Sequence, residues 1–269
     1  MPKSVVPPRA LLGMVHVGAL PGSPFSRRGV RELAARAAVE ASLLMEAGFD
    51  GVLVENMHDR PYVQPPHSPA TVAAMTLAAD RVRASIGSAV MGVQVLSCGE
   101  RESLSIALAV GAQFIRCENF VYSHVADEGL LERAAAGALL RYRREIGAES
   151  IRIFADIKKK HASHALTADL SLADCVHGAE FFGADGVIIT GAFTGAAASP
   201  DDVRQAREAT KLPVLIGSGV SPEQVNDLLR DADALIVGSW IKKGGRWENP
   251  VDKQRARAIV RARTSRAAR

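Results

Sequence analysis

The run Ile151-Arg152-Ile153-Phe154-Ala155-Asp156-Ile157-Lys158 alternates aliphatic residues with large or charged ones. A strand of period two turns Ile151, Ile153, Ala155 and Ile157 to one side and Arg152, Phe154, Asp156 and Lys158 to the other. The same alternation in neighbouring apolar runs groups Arg116 with Glu118 and singles out Gln94, Glu55 and His16. In a strand buried on both faces, a polar side chain needs a partner or a place at the open end. Carboxylates collected there supply a general acid and base whose ionisation is set apart by burial and neighbouring charge. Glu55 and Asp156 are the candidates for base and acid, with Glu118, Lys158 and His16 as orienting and charge-stabilising groups. The alternative is an ion-pair network that fills the interior. Lys158 opens the run Lys158-Lys159-Lys160 and reads as solvated rather than as a Schiff-base amine.

A second constellation is built from small residues. Gly217-Ser218-Gly219 follows one apolar run and precedes Val220-Ser221-Pro222, and Gly238-Ser239 follows the next run. Small residues at both points let backbone N–H groups approach an anion, a phosphate clamp, although glycine in a tight turn explains either one alone. Gly191, after the run ending at Thr190, and Thr194 to Ala196 are placed to close a third side. A divalent metal on His16, Glu55, Asp156 and His161 is the competing use of the polar cluster. No HxxEH or EF-hand spacing supports it, and no cofactor is predicted.

Eight elements must position these residues. Apolar runs at Leu11–Val17, Gly51–Asn56, Ala89–Leu96, Gln113–Glu118, Ile151–Lys158, Gly186–Thr190, Pro213–Ser218 and Ala234–Gly238 read as buried parallel strands. Helical patterns follow them at Val30–Ala47, Pro69–Ile86, Arg101–Val110, Leu130–Ile146, Ser171–Phe182, Asp201–Thr210, Pro222–Leu229 and Lys253–Arg263. Ser68, Ser199 and Ser221 precede helix-opening prolines, and Gly48, Gly87, Gly111, Gly147 and Gly183 mark ends. Eight strand–helix units in one chain, without GxGxxG after the first strand, predict an α/β protein with a single closed (β/α)8 barrel over residues 1–269. The glycine pair then falls after strands seven and eight, where barrels build phosphate sites.

Composition narrows the rest. The chain is 48% hydrophobic and 23% charged, enough for a large core. No uninterrupted apolar run is long enough to span a bilayer, and no signal-peptide core follows the N-terminus, so a cytoplasmic protein is expected. Cys98, Cys117 and Cys175 are odd in number and far apart, which gives neither a disulfide framework nor a metal knuckle. The net charge of +4 is concentrated in residues 253–269, which hold seven Lys or Arg and no acid; the remainder is net acidic. With aromatics at only 5%, nucleic acid is not an expected partner.

The blocks GMVHVGALPGSP (13–24), VENMHDRPYVQPPHSPATVAAMT (54–76), FADIKKKHASHAL (154–166), IITGAFTG (188–195), VLIGSGVSPEQV (214–225) and ADALIVGSWIKKGGRWENPVD (232–252) resemble the BtpA/SgcQ family over nearly the whole chain. The resemblance implies a TIM barrel of the ribulose-phosphate-binding type. It also implies descent from a family named after a cyanobacterial photosystem I biogenesis member, most of whose members occur in organisms without photosystems. Glu55, Asn56, His58 and Asp59 match its ENMHD block, Asp156, Lys159 and His161 its strand-five block, and Gly217 to Gly219 its phosphate loop. The chain departs from relatives at Ser97-Cys98-Gly99, at Glu118-Asn119-Phe120 and at Trp240.

Together these features predict an enzyme that moves protons on a small phosphorylated sugar- or nucleoside-derived metabolite. His58, Asn56, Asp59, Gln94, Arg116, His161 and Thr190 would line the mouth, and residues 57–68 would form a proline-stiffened lid. The alternative is a non-catalytic assembly factor whose basic C-terminal segment touches a membrane. A homo-oligomer is expected for a barrel of this size.

Overall fold

In the computed structural model, which describes residues 5–191 and 193–264, eight parallel strands close into a barrel in chain order. They are β1 (Ala10–His16), β2 (Gly51–Glu55), β3 (Val90–Gln94), β4 (Phe114–Cys117), β5 (Arg152–Ile157), β6 (Gly186–Ile189), β7 (Val214–Ile216) and β8 (Ala234–Val237). Each is followed by a helix: α1 (Val30–Ala47), α2 (Pro69–Ile86), α3 (Glu100–Val110), α4 (Ala136–Glu145), α5 (Leu172–Phe181), α6 (Pro200–Ala209), α7 (Val225–Leu228) and α8 (Lys253–Thr264). This is the predicted (β/α)8 barrel. Among the described residues no helix is long and apolar enough to cross a membrane. Cys98, Cys117 and Cys175 are free and buried.

Two segments differ from the sequence expectation. The helix expected from Leu130 begins only at Ala136, because Gly129 (φ +103°) turns the chain and Gly129–Leu131 pairs as a strand with His124–Ala126. That hairpin also pairs with Ala162–Ser163, giving a three-stranded antiparallel sheet after β4. The helix expected from Pro222 is confined to Val225–Leu228. The last residues of the basic segment, 265–269, lie outside the described residues.

Strand alternation divides the core as expected. Ile151, just before β5, and Ile153, Ala155 and Ile157 within it face the helix layer, whereas Phe154 belongs to the inner cluster with Leu12, Met14, Leu53, Phe114 and Ile236. The Phe114 and Phe154 rings lie 5.1 Å apart and plug the lower barrel. Gly92 makes room for them: a Cβ there would come within 2.2 Å of the Phe114 ring. The plug separates a polar upper layer from the lower rim, where Arg152 of β5 reaches Asp185.

The lower rim is held by one arrangement used four times. Asp50, Gln113, Asp185 and Asp233 immediately precede β2, β4, β6 and β8. Each donates its backbone N–H to the carbonyl of a residue on the preceding odd-numbered strand: Leu11, Met91, Ile153 and Val214 respectively. Each side chain accepts the N–H of that same residue, at 2.8–2.9 Å. An arginine from an even-numbered helix then binds the same side chain: Arg263, Arg83, Arg143 and Arg207. These arginines also reach helix-to-strand loop carbonyls, such as Gly87 and Ala89 for Arg83 and Thr210 and Leu212 for Arg207.

Asp185 carries the fullest set, accepting from Arg143 (2.6 Å), Arg152 (3.0 Å) and the Ile153 amide (2.9 Å). Its replacement removes the acceptor of one amide and two guanidinium groups at a part-buried site. Asp185→Ala should cost about 2–4 kcal/mol in urea unfolding, whereas Asp201→Ala, which removes an exposed pair with Arg204, should cost under about 1 kcal/mol.

Candidate active site at the barrel mouth

Above the aromatic plug, the carboxyl-end residues of β1 to β5 turn polar. His16, Glu55 and Gln94 lie side by side in register across β1, β2 and β3. Arg116 on β4 and Asp156 on β5 complete the arc. Glu55, Gln94, Arg116 and Asp156 border a cavity of about 250 Å³, closed on other sides by Met57, Leu96, Tyr62 and Trp247 and by Asp127 and Glu128 of the antiparallel hairpin; His16 lines a neighbouring cleft with Lys242 and Glu40. Of the strand-end residues expected from alternation, Glu55, Gln94, Arg116, Glu118 and Asp156 thus meet in one cavity, with His16 beside Glu55.

Most of the charge is arranged in pairs. Arg116, 3% exposed, holds Asp156 through Nε–Oδ2 (3.0 Å) and Nη2–Oδ1 (3.1 Å). Burial still raises the Asp156 pKa above the ordinary aspartate value, Arg116 offsetting it only in part. Lys159 Nζ donates to Glu118 Oε1 at 3.1 Å, and the Cys98 amide donates to Glu118 Oε2 at 2.9 Å. Burial works against the Glu118 charge, but these donors and Arg116 outweigh it and hold its pKa below the usual range.

Glu55 is different. It is 4% exposed, and His16 Nε2 approaches it only to 3.9 Å. Burial raises its pKa, with Lys160 and Arg116 opposing. His16 is held by burial and by nearby Lys242 well below its ordinary pKa and is therefore neutral. Its Nδ1 bonds the Trp247 carbonyl (3.1 Å), which places the proton on Nδ1 and leaves the Nε2 lone pair facing Glu55.

Lys158 does not enter the cavity, contrary to the alternation argument. Its backbone adopts φ +48°, ending the extended chain, and its Nζ donates to the Leu170 carbonyl at 2.8 Å. The reversal sends the next two residues inward: Lys159 to Glu118, and Lys160 to the cavity wall. Burial lowers the Lys160 pKa, with Arg116 adding to it and Glu55 and Asp156 opposing. His161 (φ +55°) follows, bonding Thr194 Oγ1 (2.8 Å) and facing Asp127 (3.6 Å), so it joins the β6 loop to the hairpin.

The other expected residues divide between wall and frame. Asn56 is fully buried; its Oδ1 accepts the Leu96 amide (2.6 Å) and its Nδ2 donates to Leu96 O (3.2 Å) and Asp59 (3.3 Å). Asp59 accepts the Leu20 amide (2.9 Å), so this pair fastens the loops after β1, β2 and β3. His58 lies against Trp247, 5.1 Å between ring centres, and the Arg60 guanidinium covers the same indole at 4.6 Å. Thr190 Oγ1 is buried without a partner among the described residues. Residues the sequence reading did not single out are Lys160, Arg60, Asp127, Glu128 and Trp247; their only signal was position in the long loops after β2, β4, β5 and β8.

The glycine-rich corner borders the cavity rather than lining it. A Cβ on Gly217 would lie 3.2 Å from Arg116 Nη2, and one on Gly238 3.9 Å from His16 Nε2. Gly219 has φ +69°, and a Cβ there would come within 2.2 Å of the Ala196–Ala197 backbone. Ser218 Oγ accepts the Gly191 amide (2.8 Å) and donates to Ala196 O (2.9 Å). Ser218 and Gly191 thus knit the loops after β6 and β7 together, while Gly219, Gly238 and Ser239 are partly exposed. Ser239 begins a short 3-10 turn, Ser239–Ile241, after β8. Among the described residues no group of three or more His, Cys, Asp or Glu side chains is gathered as a metal site.

The chain is 45% identical over 249 residues, 91% of its length and 89% of the relative's, to a mitochondrial protein of Caenorhabditis elegans. It is 36% identical over 255 residues, 94% of its length and 87% of the relative's, to the photosystem I biogenesis protein BtpA of Synechocystis sp.. In three dimensions it resembles orotidine 5'-monophosphate decarboxylase from Methanocaldococcus jannaschii, with a TM-score of 0.60 at 12% identity over 96% of this chain and all of that one. That likeness bears on the fold, a TIM barrel, while the sequence matches bear on descent. The BtpA family model matches residues 8–265, nearly all of the barrel, and the chain belongs to the BtpA family.

Proposed function

We propose that the chain is an enzyme that transfers protons on a small phosphorylated metabolite bound at the barrel mouth. The observation that carries this reading is Glu55. A carboxyl group 4% exposed faces a metabolite-sized cavity with no cationic partner, its nearest neighbour being the neutral His16 at 3.9 Å, while Asp156 and Glu118 beside it are paired with cations. A raised carboxyl pKa suits a group that takes and returns a proton near neutral pH. Lys160 and the fixed Arg116–Asp156 pair stabilise the anion that forms when the substrate loses that proton. Asp156, held by Arg116, fits a positioning role better than that of the free acid.

The phosphate is assigned to Gly219, Gly238 and Ser239, whose backbone can approach an anion closely. The decarboxylase of like fold, whose name specifies a 5'-monophosphate, supports a phosphorylated ligand by analogy of architecture. No bound metal or cofactor is part of the proposal.

The name of the Synechocystis relative favours a second reading, an assembly factor for a membrane complex. The basic helix α8 offers it little: Lys253 pairs with Glu46, Arg263 with Asp50, and Arg255 donates to Trp240 O and lies over its ring at 4.1 Å.

Thermal melts against inorganic phosphate, sugar phosphates and nucleotides should give a stabilising compound, about 2.7 kcal/mol at ~100 times its dissociation constant. Ser239→Asp should abolish that shift by placing a carboxylate at the anion site. Incubated with the protein in D2O, the same compound should gain deuterium at one carbon by NMR, and Glu55→Gln should slow this by about 10²–10⁴-fold. Binding with no exchange in either protein would favour the assembly factor.

The Glu55 variant has a stability signature too. Because burial raises the folded-state pKa above the unfolded value, the folded protein binds more protons between those values, and stability falls as pH rises through that interval. Glu55→Gln removes this dependence. Its melting temperature should exceed that of the parent above the ordinary glutamate range, by a margin that grows with pH until the folded-state pKa is passed.

A further inference from the structure

The cavity walls contain hydrogen-bond acceptors that the protein does not satisfy. Gln94 is 2% exposed, yet its Oε1 is buried without a donor among the described residues. Glu128 Oε2, on the hairpin turn packed across the mouth, is likewise buried and without a donor. Glu55 adds a carboxylate that His16 reaches only to 3.9 Å. These groups come from β3, the hairpin and β2, elements far apart in sequence that converge on one space of about 250 Å³. A buried acceptor without a donor is costly, and two in one cavity, beside a carboxyl group that no cation holds, are explained by a ligand that brings donors.

The charge balance indicates what kind of donors. Arg116 and Lys159 are engaged by Asp156 and Glu118, and Arg60 is stacked on Trp247. Glu55 and Glu128 therefore face the space with Lys160 as the principal free cation among the described residues. Such a surface repels a phosphate and accepts neutral O–H groups. Each carboxylate has two oxygens able to take adjacent hydroxyls. A flat heterocycle presents donors along one edge, whereas the acceptors here lie on strand ends below and on the hairpin across the opening.

We propose that this cavity is the subsite for a polyhydroxylated sugar, whose neighbouring hydroxyls donate to Gln94, Glu128 and Glu55. The inference rests on the function proposed above in one respect: the phosphate of the same molecule lies outside the cavity, at the glycine-rich corner beside Arg116 and His16. The carboxylates then orient the ligand, because the phosphate end is excluded from the hydroxyl end. Met57, Leu96 and Tyr62 supply the apolar face on which a sugar ring's C–H groups rest.

The test uses the full-length protein and calorimetric titration or melting shifts with aldopentose and aldohexose phosphates, their deoxy counterparts, the free sugars and inorganic phosphate. The expected result is a sugar phosphate that binds at least about tenfold more tightly than its deoxy form. Gln94→Leu and Glu128→Gln should each erase most of that preference while leaving the deoxy compound's affinity within about twofold. Glu128 lies in a partly exposed turn, so its variant keeps the test valid if the buried Gln94 change impairs folding.

Equal binding of hydroxylated, deoxy and inorganic phosphates, unaffected by the variants, would overturn the sugar subsite and leave the phosphate reading standing. Binding of free sugars but of no phosphorylated compound would overturn the phosphate reading and leave the subsite. Silence across the set would overturn both.

Discussion

Everything at the mouth depends on how the lower rim closes. A parallel barrel keeps its shape only while adjacent strands hold register, and four reciprocal bonds fix it at the strands' amino ends. In each, a residue just before an even strand returns with its side chain the hydrogen bond its backbone gives, and an arginine draws in the neighbouring helix. The charged and amide groups that set register thus lie opposite the face where chemistry is proposed. The phenylalanine plug between the two faces lets each be polar without exposing the core to water.

The site then follows from the cost of burying charge. Asp156 and Glu118 tolerate their surroundings because Arg116 and Lys159 satisfy them, and pairs of this kind add definition more than stability. Glu55 has no such counterpart: its nearest neighbour is the neutral His16 at 3.9 Å. His16 is neutral and oriented by a carbonyl from the loop after β8, so the β1, β2 and β8 ends act as one unit around that carboxyl. Among the buried carboxyl groups of the mouth, Glu55 is the one that the fold leaves without a cation, and the proposed proton-transfer role rests on it.

The barrel was legible from Val-, Ile- and Leu-rich runs and glycine stops because parallel strands and their helices have different periods; α1 and α2 match residue for residue. Alternation also found His16, Glu55, Gln94, Arg116 and Asp156, since a charge in a doubly buried strand has few places to go. It failed at Lys158, where a single left-handed residue resets the phase and exchanges which lysines face inward. Leu130 and Leu131 carry no period that separates strand from helix, and Gly129 decided the matter. The carboxylates of the hairpin and the indole of Trp247 reach the cavity by loop geometry that no local pattern encodes. The lower-rim repeat, in contrast, was readable: Gly-Phe-Asp, Gly-Ala-Gln, Gly-Ala-Asp and Asp-Ala-Asp each stand before an even strand.

The arginine of the first rim unit comes from the last helix: Arg263 closes on Asp50 across 213 residues of chain. The other three units receive theirs from the helix just before the strand pair. In order of synthesis, then, the opening quarter of the barrel is made first and completed last, waiting for α8 while the later quarters assemble with their own arginines at hand. The ring has a seam, and the seam is sealed by the end of the chain, so a nascent or truncated polypeptide lacking α8 has β1 and β2 paired but not anchored to any helix through Asp50.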